Sequence, residues 1–66
     1  MNKVTDWIVL YRDPDSSIYS VPDGWHVVAE EKDVEALFEK ANPGIEPVWI
    51  VETDSYDDAL VDWAEG

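Results

Sequence analysis

A chain of 66 residues has room for one domain, and with no cysteine it lacks disulfides, thiolate nucleophiles and thiolate metal sites. Sixteen acids against four bases give a formal net charge of −12, which repels nucleic acid and anionic membrane and attracts basic partners. Four Trp, three Tyr and one Phe argue against simple disorder and must supply most of the core, because a domain this small buries only about 60% of its unfolded surface.

The N-terminus, Met-Asn-Lys-Val-Thr-Asp-Trp, lacks the charge and apolar run of a secretory signal. No stretch approaches the roughly eighteen apolar residues of a membrane span. Cytoplasmic residence is the default expectation.

Trp7 to Arg12 is rich in β-branched and aromatic residues and is stopped by Asp13-Pro14-Asp15-Ser16-Ser17, which predicts a strand and a turn. Ile18 to Val21 is a short strand or an extended loop. Pro22-Asp23-Gly24 signals a second turn, because Pro presets φ and Gly accepts positive φ. A second strand follows from Trp25 to about Glu30. From Glu31 the apolar period becomes helical: Val34, Leu37, Phe38 and Ala41 share one face. Asn42-Pro43-Gly44 ends that helix, with Asn or Gly suited to a left-handed cap. Pro47 leads into a third strand, Val48 to Thr53. Asp54 suits the N-cap of a last helix that turns Tyr56, Ala59, Leu60, Trp63 and Ala64 inward.

A faint repeat at an offset of 23 residues matches Val28, Ala36, Leu37 and Ala41 with Val51, Ala59, Leu60 and Ala64, a strand–helix unit used twice. The expected fold is α+β: a small two-layer sandwich with a three- or four-stranded mixed sheet. Two helices pack on one face, in the order β-(β)-β-α-β-α. The first strand lies between or beside the others, antiparallel to at least one. Both sheet faces read as apolar, so two helices on one side would leave the other as a bare, Trp-bearing surface, unless residues 13–24 fold across it.

The charge is uneven. Residues 30–66 hold twelve acids and two bases, a net of −10. Glu31, Glu35 and Glu39 are spaced i, i+4, i+8, and so are Asp54, Asp58 and Asp62, with Asp57 and Glu65 beside them. Neighbours at this spacing lie about 5–6 Å apart on a helix and destabilise it by a few tenths of a kcal/mol when alike in charge. A solvated face explains charge on a helix, but it does not explain the missing Lys and Arg, since soluble surfaces mix signs.

The expected function is therefore a small acidic protein-binding inhibitor. These eight residues form its partner-binding ridges and bind the basic surface of a nucleic-acid-binding protein in place of nucleic acid. In size and composition the chain resembles the small acidic inhibitors of phages and mobile elements, DNA-mimic and anti-CRISPR proteins among them. That resemblance is one of class, carried by charge and length, and it transfers no residue roles. It implies action in a host cytoplasm.

The alternative is a structural or regulatory module that pairs with itself or a subunit through the bare sheet face. High-salt adaptation is disfavoured by the uneven charge, and an acidic antitoxin or immunity protein would share the mimic mechanism.

No metal, cofactor or catalysis is expected. Asp13, Asp15 and Ser17 start like a calcium loop, but Ile18 stands where Gly is needed and Gly24 where a bidentate Glu is needed. His26 is the only histidine and falls in a strand, the serines fall in turns, and there is no phosphate-cradling glycine loop.

Overall fold

Ile8, Val9 and Leu10 are consecutive and all buried, at 4%, 0% and 0% exposure. Successive strand residues point to opposite faces, so a strand with this run needs cover on both sides and a neighbour on each edge. The computed structural model, which describes residues 3–14 and 21–66, meets that need. Its elements are β1 (Thr5–Tyr11), β2 (Asp23–Ala29), a 3-10 turn (Glu31–Asp33), α1 (Val34–Ala41), β3 (Pro47–Val51) and α2 (Tyr56–Glu65). The sheet order is β2-β1-β3, with β1 antiparallel to both neighbours.

The chain is thus an α+β fold with a three-stranded sheet and two helices, as the sequence predicts. Two details of that expectation are corrected. The sheet is antiparallel throughout rather than mixed, because β2 and β3 run in the same direction but are separated by β1. The helices lie on opposite faces rather than on one. Val34 and Phe38 of α1 pack with Val9 and Ala29, against Trp7, Tyr11, Trp25, Val27 and Ile50. Ala59 of α2 packs with Ile8 and Leu10, against Trp49 and Val51. The fold has three layers, and the bare Trp-bearing face required for self-association through the sheet is covered by α2. The possible strand from Ile18 and most of the Asp13–Ser17 loop lie outside the described residues.

Opposite helix placement also breaks the internal repeat. Val51 faces the helix that follows its own strand, whereas Val28 pairs with Asp6 on the face away from α1 and is 57% exposed. The two units share an order of elements and not a packing.

Boundaries shift for local reasons. Asp23 and Gly24 belong to β2, paired with Tyr11 and Leu10, and not to a turn. Leu10 pairs with Trp49 and Tyr11 with Pro47, so Val48 is the extra residue of a bulge. Asn42 caps α1 with φ −133, its backbone and side-chain nitrogens both donating to the Phe38 carbonyl, and Gly44 takes the left-handed conformation at φ 84. The N-cap of α2 is Ser55 rather than Asp54; its hydroxyl accepts from the Asp58 backbone N–H at 3.2 Å.

On the α1 face, the Phe38 ring lies 5.5 Å from those of Tyr11 and Trp25, tilted to the first and edge-on to the second. Burial of Tyr11, with Asp23 and Asp13 nearby, raises its hydroxyl above the ordinary value of 10.0. A folded-state pKa above the unfolded one means that this contribution to stability is intact below about pH 10 and is lost as pH rises through the folded value. Stability followed by circular dichroism should therefore fall above about pH 10, and Tyr11→Phe should remove part of that slope. An unchanged slope would assign the effect to other groups.

Candidate functional site

α1 presents Val34 and Phe38 to the sheet, which leaves Glu35 and Glu39 exposed on its flank toward β3. Glu31 precedes them in the 3-10 turn. On the other layer, Ala59 faces inward and Asp57, Asp58, Asp62 and Glu65 are exposed, with Asp54 exposed in the loop ahead of the Ser55 cap. All eight candidate carboxylates are exposed. The sheet separates them into two sets, so they form two surfaces and not the single continuous one that adjacent helices would give.

No base is paired with any of the eight among the described residues. Lys32 lies 3.5 Å from Glu30, and His26 lies 2.8 Å from Asp6, both of which are other acids. Lys40 sits in the last turn of α1, where a cation complements the helix dipole. Asp57 and Asp58 are favourably placed in the first turn of α2, but its last turn holds no base to balance Asp62 and Glu65. Asp62 also serves the fold, because its carboxylate accepts a hydrogen bond from Trp49 Nε1 at 2.6 Å and so ties α2 to β3. Arg12 lies over the Trp63 ring, 5.9 Å from its centroid. At the other end of the α1 ridge, Glu31 shares a depression of about 350 Å³ with Lys3, Thr5, Trp7 and Glu52. The indole Nε1 of Trp7 is buried without a hydrogen-bond partner among the described residues.

Between α1 and the chain entering β3 lies a cleft of about 340 Å³, with Phe38, Ile45 and Pro47 among its walls and Glu35, Glu39 and Glu46 around them. A second hollow of about 310 Å³ shares Glu35 and Pro47 with it and runs on past Val48, Trp49 and Ile50. The cleft therefore follows β3. Sequence periodicity identifies Glu35 and Glu39 but misses Glu46, a loop residue whose only signal is its place beside Pro47.

Among the described residues, no group of three or more His, Cys, Asp or Glu could hold a metal ion, and no helix is long and apolar enough to cross a membrane. Compared with protein-family models, curated proteins and solved structures, the chain matches none.

Proposed function

We propose that this protein is a small, non-catalytic acidic ligand that binds the basic groove of a nucleic-acid-binding protein and excludes nucleic acid from it. The observation that carries this reading is the set of eight exposed carboxylates, to none of which a base is paired among the described residues. Surface acids kept for solubility alone would be interspersed with bases.

The layering determines how such a ligand engages. The sheet lies between the two sets of carboxylates, an arrangement suited to a cleft with two basic walls more than to a flat basic patch. Binding of this kind is steered by charge and weakens as salt rises.

The test is capture of partners from a bacterial lysate at low salt, followed by steps of rising salt and by competition with DNA or RNA. One stoichiometric nucleic-acid-binding protein, released by nucleic acid, is the expected result. A smear of basic proteins lost at the first salt step would sink the proposal.

Two sets of variants then separate the walls: Glu31→Gln, Glu35→Gln, Glu39→Gln on one side, and Asp54→Asn, Asp57→Asn, Asp58→Asn on the other. Asp62 is spared because it holds Trp49. Each set should weaken capture, and the α1 set should change stability little, because relief of the like-charge pairs is offset by loss of the favourable contact of Glu35 with the helix dipole in the first turn. Undiminished capture by both sets would remove the ridges from the interface.

A further inference from the structure

β3 is hydrogen-bonded to β1 along one edge only, and among the described residues its other edge has no strand. Natural sheets protect such edges with lysine, proline, bulges or a covering element. Here Pro47 and the bulge at Val48 blunt the start of the strand, but Trp49 to Val51 remains regular, and no base occurs anywhere after Lys40.

From this geometry we infer that the free edge of β3 accepts an extended, cationic segment of the partner as a fourth strand. This rests on the basic-partner half of the proposed function and names the element by which the partner engages.

The cleft beside the edge determines the chemistry of the occupant. Its Ile45 and Pro47 walls suit the methylene stems of Lys or Arg, and Glu35, Glu39 and Glu46 meet the charged heads. An added strand places every second side chain on the α1 side, about 6.5–7 Å apart, so alternate cationic residues enter the cleft while main-chain groups pair with β3. A second copy of this chain is a poor occupant. It too carries −12, and two antiparallel β3 strands would bring Glu46 of one copy toward Glu52 of the other.

The experiment uses the full chain, isotope-labelled, titrated with the synthetic peptide Lys-Val-Arg-Val-Lys-Val-Arg and followed by NMR. Shifts concentrated at residues 47–51, with slowed amide exchange there, are expected. Glu35→Gln, Glu39→Gln, Glu46→Gln combined should weaken binding roughly tenfold, the sum of three largely exposed charge pairs. The α2 set Asp54→Asn, Asp57→Asn, Asp58→Asn should change it by less than about twofold.

A peptide of equal charge with every backbone nitrogen methylated cannot donate strand hydrogen bonds, and equally tight binding of that peptide would overturn the inference. So would shifts spread evenly over all acidic segments, or sedimentation showing that β3 already pairs two copies.

The outcome is separable from that of the lysate experiment. Peptide addition at β3 without any partner displaced by nucleic acid would end the mimic reading and leave this one standing. A displaced partner whose binding ignores Glu35, Glu39 and Glu46 would do the reverse.

Discussion

Phe38→Ala is expected to leave the chain largely unfolded at room temperature. Phe38 is 1% exposed and is among the largest fully buried side chains. It packs with Val9, Ala29 and Val34 and against the Tyr11 and Trp25 rings, so it joins α1 to the sheet. Truncating a buried Phe costs about 3–5 kcal/mol, and a core in a domain this small supplies no more than about 3–5 kcal/mol. Urea unfolding followed by tryptophan fluorescence reads this directly, since Trp25 lies edge-on to the deleted ring. Leu37→Ala is the control. Leu37 falls on the same predicted apolar face but is 37% exposed, and its truncation should cost less than about 1 kcal/mol. A Phe38→Ala variant that unfolds at the wild-type urea midpoint would show that α1 does not close this face.

Gly24→Ala should destabilise the fold by about 1–3 kcal/mol, the usual cost of overpacking. A Cβ at Gly24 would fall under 3.0 Å from both Cδ1 and Cε1 of Tyr56. The Tyr56 ring has little freedom to move away, because its hydroxyl donates to the carbonyl of the buried Pro22 at 2.6 Å. The ring of α2 thus rests on the backbone of β2 and is anchored at its far end. Removing the ring should remove the clash, so Gly24→Ala ought to cost much less in a Tyr56→Ala background. If the two substitutions add, the lost stability comes from the strand backbone and not from the ring.

What the sequence reveals of this fold is local. The alternation of Ile8 and Leu10 against Trp7, Val9 and Tyr11 assigns β1 to two apolar faces, and the spacing of Val34 and Phe38 sets the buried side of α1. The face on which each helix lands is a different question. With both sheet faces apolar, the pattern accepts two helices on one side or one on each, and only three-dimensional packing decides. The cap of α2 is ambiguous in sequence for a simpler reason, since Asp54 and Ser55 are adjacent and both cap well. The eight acids are exposed and, among the described residues, without paired bases, but Glu31 and Asp54 lie ahead of α1 and α2 and so outside the helical ridges that their spacing predicts. Their division between two surfaces follows from the helix placement, and Glu46 in the cleft belongs to no periodic pattern at all.

A strand covered on both faces gives up the usual safeguard of register. In a sheet with one wet face, a slip of one residue turns apolar side chains toward water and is rejected at once. A slip of β1 would exchange one apolar set for another, with Trp7 and Tyr11 moving to the side of α2. Shape opposes it: Tyr56 lies close against Gly24, whose partner in the sheet is Leu10. The contact between one glycine and one tyrosine therefore favours one alignment of β1 with β2, and chains that pair before α2 has docked must do so without it.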